Sequence, residues 1–173
     1  MGENPPDGAV IDYALATGDH GPISIEIVNG SGELVRQFSS DDTPSPIDQT
    51  TPFPSYWLSP PRVPTARAGM NRFVWNLRYP SPAVKRPDYT IAALPGDTPA
   101  LPLGPQVVPG AYQVRLSVGE RVLTQPLVVR MDPRVKTSAR DLSALFSLER
   151  QISADNSFQV AVFGAQQQRA VVA

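Results

Sequence analysis

Side chains able to do chemistry are sparse in this chain. It has one histidine, His20, and no cysteine. A Ser–His–Asp relay would have to use His20, because the base in such a relay must titrate near neutral pH. His20 stands in Gly18-Asp19-His20-Gly21, a turn-like stretch with no nucleophile-elbow pattern beside it, so it reads as a solvated turn residue. The lack of cysteine removes disulfides, thiolate metal sites and thiol nucleophiles. With a single histidine, a zinc site built from His and Cys is excluded as well.

Glycoside hydrolysis needs two carboxylates at a defined separation. Asp7, Asp12, Glu26, Glu33, Asp41 and Asp42 supply the candidates. Glu26 falls on the polar face of an alternating stretch, where a solvated carboxylate is the ordinary outcome. Asp41-Asp42 lies in a Ser/Asp/Pro segment, where these residues make turns. Adjacent aspartates also suit calcium, but no patterned set of further oxygen donors accompanies them. Gly30-Ser31-Gly32 joins two strand-like runs and opens no helix, so it reads as a turn and not a phosphate cradle. No catalytic residue, metal ligand or cofactor is therefore assigned. The side chains best suited to a ligand are Tyr56 and Trp57, an aromatic pair among prolines that would serve as a platform for a sugar or peptide. The alternative role for Trp57 is to anchor its loop over a sandwich edge. Trp75, on the apolar face of a strand, reads as core.

These groups need elements to hold them. The 173 residues are enough for one domain of ordinary size, and 41% are hydrophobic. Charged residues make up 18% and the net charge is -1, which offers nothing to a phosphate backbone and argues against nucleic-acid binding. No apolar run approaches the ~20 residues that cross a bilayer, and Met1 to Asp7 lacks the pattern of a signal peptide. The 20 prolines are incompatible with helix interiors and central strands. They point to an all-β domain with long, stiff loops.

Ala9 to Ala16 suits a first strand. Ile23-Ser24-Ile25-Glu26-Ile27 alternates strictly, Asn29-Gly30-Ser31-Gly32 supplies a turn, and Glu33 to Phe38 returns. Met70 to Leu77 places Phe73, Trp75 and Leu77 on one face. Gly110 to Val118 and Arg121 to Met131 form another hairpin around Gly119-Glu120, with Pro126 predicting an edge or a bulge. Ser39 to Gly69 and Tyr79 to Pro109 are proline-rich connections, with short edge strands expected near Tyr56-Trp57-Leu58 and Tyr89-Thr90-Ile91. After Asp132-Pro133 the period changes. Ser138 and Asp141 predict a helix start, and Leu142, Leu145, Phe146 and Ile152 form a stripe expected to pack. Asp155-Asn156-Ser157 predicts a break, followed by a second helix over Phe158 to Val172. The fold expected is all-β: an immunoglobulin- or fibronectin-III-like antiparallel β-sandwich over residues 1–136, with a C-terminal helical extension over 137–173 packing on the sandwich or a neighbouring domain.

Five stretches taken together resemble a known family: Gly2-Glu3-Asn4-Pro5-Pro6-Asp7-Gly8-Ala9-Val10-Ile11-Asp12-Tyr13; Ile25-Glu26-Ile27 through Gly32-Glu33-Leu34-Val35-Arg36; Gly69-Met70-Asn71-Arg72-Phe73-Val74-Trp75-Asn76-Leu77-Arg78-Tyr79-Pro80; Val108-Pro109-Gly110-Ala111-Tyr112-Gln113-Val114-Arg115-Leu116; and Met131-Asp132-Pro133-Arg134-Val135. They resemble the C-terminal region of bacterial sortilin/sialidase-like proteins, the BNR-repeat glycosyl hydrolase family. In that family such an immunoglobulin-like domain follows a long β-propeller. The middle motifs also resemble the immunoglobulin-like domain of flagellar hook-capping proteins. The resemblance implies a non-catalytic accessory module of an exported protein, periplasmic or extracellular, whose partner is the propeller or another protein. It carries no hydrolase site onto this chain, because the family's Asp-box repeats have no counterpart here. The alternatives are a carbohydrate- or peptide-binding module and a glycoside hydrolase fragment.

Overall fold

Alternating apolar residues become strands when one face can be buried, and this chain uses that device repeatedly. The computed structural model describes residues 6–16, 21–43, 53–59, 62–84, 87–89, 96 and 98–171, with side chains in the final helix given to Ser157 and again at Val160. His20 and Thr90-Ile91 lie outside the described residues. The chain forms two compact units. The first comprises Met1–Ile47, Pro60–Arg78 and Pro109–Pro133; the second comprises Asp48–Ser59, Tyr79–Val108 and Arg134–Ala173.

The first unit is built of strands. β1 (Ala9–Leu15) pairs antiparallel with β4 (Gly69–Trp75), from Ala9↔Trp75 to Leu15↔Gly69. β2 (Ile23–Asn29), β3 (Leu34–Ser39), β7 (Gly110–Val118) and β8 (Arg121–Val129) form an antiparallel sheet in the order β3-β2-β7-β8. Ile23, Ile25 and Ile27 share one face of β2 and are sealed from solvent. Across the ladders they align with Val118, Leu116 and Val114 of β7. Phe38 of β3 meets Phe73 of β4 with ring centroids 4.6 Å apart, and Trp75 meets Tyr112 edge-on at 6.0 Å. These contacts put the two sheets face to face as a sandwich.

Turn chemistry sets the registers. Asn29 organises the β2–β3 turn: its Oδ1 accepts from the backbone N–H of Ser31 and of Glu33, at 3.1 and 2.9 Å. The pairing slips between Ile27↔Arg36 and Val28↔Leu34. Val35 is thus the extra residue of a β-bulge, which turns it inward although Phe38 is also buried. Gly119, at φ +56°, turns β7 into β8. Gly8 has φ +135°, and a Cβ there would run into the Trp75 carbonyl oxygen; only glycine lets the chain enter β1 so close to the end of β4. Pro126, predicted at an edge or a bulge, lies in edge strand β8 opposite Gln113, within an uninterrupted ladder.

The second unit has little regular pairing. Ser55–Trp57 is a 3-10 turn where an edge strand is expected, and Leu58 bridges to Thr98. Pro54 sets the turn's entry and leaves a single carbonyl, which accepts from the Trp57 N–H at 3.0 Å. β5 (Asp88–Tyr89) and β6 (Ala100–Leu101) form a two-residue ladder. The C-terminal segment is one helix, α1 (Ala139–Val171), and the predicted break at Asp155-Asn156-Ser157 does not occur. Residues of this kind cost only a few tenths of a kcal/mol each in a helix. Ser157 donates its hydroxyl to the Ser153 carbonyl at 3.0 Å, the i−4 bond by which serine stays within a helix. The helix starts as expected: the Asp141 N–H donates to Ser138 Oγ at 3.1 Å, and that hydroxyl donates to the Asp141 carboxylate at 2.7 Å.

Candidate functional site

Three of the six candidate carboxylates, Asp12, Glu33 and Asp42, have local partners. Asp12, on the outer face of β1, takes Nε and Nη2 of Arg72 at 2.7 and 2.9 Å. That bidentate hydrogen bond holds the Asp12 carboxyl below the usual carboxylate range. Glu33 accepts from the Asn29 amide at 3.1 Å within the β2–β3 turn. Asp42 accepts the Ser39 N–H at 2.7 Å, and the Asp41 N–H donates to Ser39 Oγ at 3.2 Å, so this pair makes a turn after β3. Glu26 stands half-buried between Gln37 and Arg115 on the sheet's outer face. Asp7 is exposed. Among the described residues, no three His, Asp or Glu side chains gather as metal ligands would.

The aromatic pair separates by exposure. Tyr56 is 66% exposed, whereas Trp57 is half-buried. The Trp57 carbonyl accepts from the Thr98 N–H at 3.0 Å, and the Ser59 N–H donates to the Thr98 carbonyl at 2.7 Å. Trp57 is thereby tied into the turn through its backbone, while Tyr56 presents its ring to solvent. Nearby in the same unit, Phe53 and Tyr89 meet edge-on at 5.8 Å.

Two titratable groups in the first unit are perturbed by burial. Burial pushes the Tyr13 phenol above its ordinary range, and its hydroxyl donates to the Thr65 carbonyl at 2.7 Å. Arg36 occupies an inward position opposite Ile27. Its guanidinium lies 5.0 Å from the Phe38 ring centroid, and burial followed by the nearby charge of Arg62 lowers its pKa. Arg62 donates to the Val74 carbonyl at 3.0 Å.

Among the described residues, each unit carries an open apolar surface. In the first, a trough of about 560 Å³ runs between β1 and the β7–β8 hairpin, lined chiefly by Leu15, Leu116, Val118 and Leu123, with Glu120 and Arg121 at one end. Leu123 is on the inner face, opposite Leu116, yet is 62% exposed. In the second, α1 carries Leu145, Leu148 and Ile152 at helical spacing, each about half exposed. The α1 face that is covered holds Leu142, Phe146, Glu149, Ser153 and Ser157. There Phe146 meets Tyr79 at 5.3 Å, Arg150 lies 4.5 Å over the same ring, and Glu149 accepts from the Gln106 N–H at 3.3 Å. The predicted stripe is therefore divided: Leu142 and Phe146 are partly covered, and Leu145 and Ile152 face outward.

Neither surface stands out in a search of the sequence for catalytic types. The available signal is apolar excess. β8 has Val122 and Val128 on one face and Leu123 and Leu127 on the other, more than an edge strand with one buried face requires. No helix among the described residues is long and apolar enough to cross a membrane. Comparison with family models, curated proteins and solved structures finds no match.

Proposed function

We propose that this chain is a non-catalytic interaction module of a larger exported protein, with an immunoglobulin-like sandwich as its scaffold and a β-propeller as its neighbour. One observation carries the reading. Leu145, Leu148 and Ile152, at 54%, 53% and 51% exposure, line a single face of α1. Leaving three large apolar side chains half in water at i, i+3 and i+7 forgoes roughly half of the ~1.5–3 kcal/mol that full burial of each would bring, which a docked partner would recover. The resemblance of residues 2–150 to the domain following a propeller supports the same reading, as does the employment of Asp12, Glu33 and Asp42 in ion pairs and turns. In this role the chain works outside the cytoplasm.

Co-purification with the β-propeller encoded in the same gene tests this. A stoichiometric complex weakened at least tenfold by Leu148→Glu supports the reading. A gene without a propeller, or a complex indifferent to that change, overturns it.

The second reading is a carbohydrate- or peptide-binding module, favoured by the solvent-facing ring of Tyr56. Calorimetric titration against glycans is the test, and any binding that survives Tyr56→Ala removes this site from consideration.

A further inference from the structure

The two layers of the strand unit differ in width. Four strands face two. At a spacing of about 4.8 Å, the wider sheet extends roughly two strands beyond the narrower one in total. The aromatic contacts set β4 opposite β3 and β7, through Phe73–Phe38 and Trp75–Tyr112. The trough sets β1 alongside β7 and β8. The overhang therefore lies beyond β1, over the inner face of β8, where Leu123 is uncovered.

The two strands bordering this opening differ as templates. β8 contains Pro126, which supplies no N–H and weakens any ladder added to it. β1 contains no proline; β4 pairs with one of its sides and no described strand with the other. A strand added to β1 would continue the narrow layer and cover Leu123 and the half-buried Val118.

We propose that the β1 edge receives an extended strand from a partner protein, a neutral segment whose alternate apolar side chains enter the trough. Strand addition of this kind takes its affinity from main-chain hydrogen bonds and its specificity from pockets for alternate side chains. Charge points to a neutral segment, since the lining carries one Glu and one Arg, Glu120 and Arg121, which offset each other. Size points to a strand. A second globular copy would need a surface of about 800 Å² per partner, and seven residues of β1 offer only ~23 Å of edge. The proposal deepens the interaction-module reading but uses a different surface, so the two fail separately: Leu148→Glu probes the helix face and Leu123→Lys the trough.

The experiment pans a displayed library of random decapeptides against the whole chain. Enriched peptides should alternate apolar and polar residues and carry no net charge. Their binding should weaken at least tenfold in Leu123→Lys, a change at an exposed position that leaves the melting temperature in place. On binding, the backbone amides of β1 should exchange at least tenfold more slowly. Failure to enrich any peptide overturns the proposal. So do binders without alternation, binding unaffected by Leu123→Lys, or unchanged β1 exchange. Concentration-dependent dimerisation that Leu123→Lys abolishes, seen by sedimentation, overturns the partner strand in favour of a second copy.

Discussion

In the strand unit, β2 is paired on both sides, and its backbone needs are met by neighbours aligned residue by residue. In the proline unit the described strand ladder is two residues long, and several loop N–H groups outside α1 are satisfied one at a time. The Ala83 N–H goes to the Ser157 hydroxyl at 3.2 Å, the Gln106 N–H to the Glu149 carboxylate, and the Tyr79 N–H to the Pro105 carbonyl at 2.9 Å. The contrast follows from composition. Each proline removes a ladder donor, so a proline-rich segment cannot tile a sheet and must borrow side chains from elsewhere. One polar atom remains over: the Thr98 hydroxyl is buried and has no hydrogen-bond partner among the described residues. The unit with the repetitive ladder also has the fully sealed core, with Trp75, Ile25 and Ile27 at 0% exposure.

If that contrast is real, core truncations should separate the units most. Trp75→Ala should cost about 3–5 kcal/mol, as expected for a fully buried aromatic. Phe146→Ala, at a half-covered helix position, should cost less than about 2 kcal/mol. Urea titration of both variants decides, and equal losses would break the comparison.

Glycine substitutions come next. A Cβ at Gly8 meets the Trp75 carbonyl oxygen, and one at Gly104 meets that of Tyr79. Both neighbours are backbone and cannot swing aside, so each Gly→Ala change should cost about 2–4 kcal/mol through strain. Calorimetry checks this. Accelerated amide exchange should centre on β1 and β4 for Gly8→Ala and on residues 79–83 for Gly104→Ala. Loss spread evenly through the chain in both cases would show that the units do not respond separately.

The smallest effect concerns the exposed salt bridge between Asp12 and Arg72. Because the folded Asp12 pKa lies below its unfolded value, its contribution is complete above the unfolded pKa of about 3.9. It is lost as pH falls through the folded pKa. Asp12→Asn should therefore flatten the acid limb of the melting temperature against pH below about pH 4 and leave the neutral plateau nearly level. An acid limb identical to that of the unaltered chain would remove this pair from the ledger of the strand unit.

Much of the strand unit is legible in the residues themselves. Alternation around Ile23–Ile27, the Asn-Gly turn after it and the aromatic face of β4 depend only on local spacing, and local spacing decides which face of a strand is apolar. The start of α1 is legible for the same reason, since Ser138 and Asp141 act within one turn. Other features needed the tertiary structure. The bulge that turns Val35 inward follows from the pairing of β3 with β2. Leu77, two residues past β4, has left-handed backbone at φ +56°, which no local sequence signal marks. The continuation of α1 through Asp155-Asn156-Ser157 shows that weak helix formers inside a long helix do not end it. Tyr56 and Trp57 are a pair in sequence, but their unequal exposure comes from the 3-10 turn and its tie to Thr98. The open edge beside β1 has no local signature, because it exists only where a narrow sheet faces a wide one. The sequence alone determined which segments can form strands and where the chain must turn. The tertiary structure decided which apolar side chains are left uncovered, because coverage depends on which elements end up opposite one another.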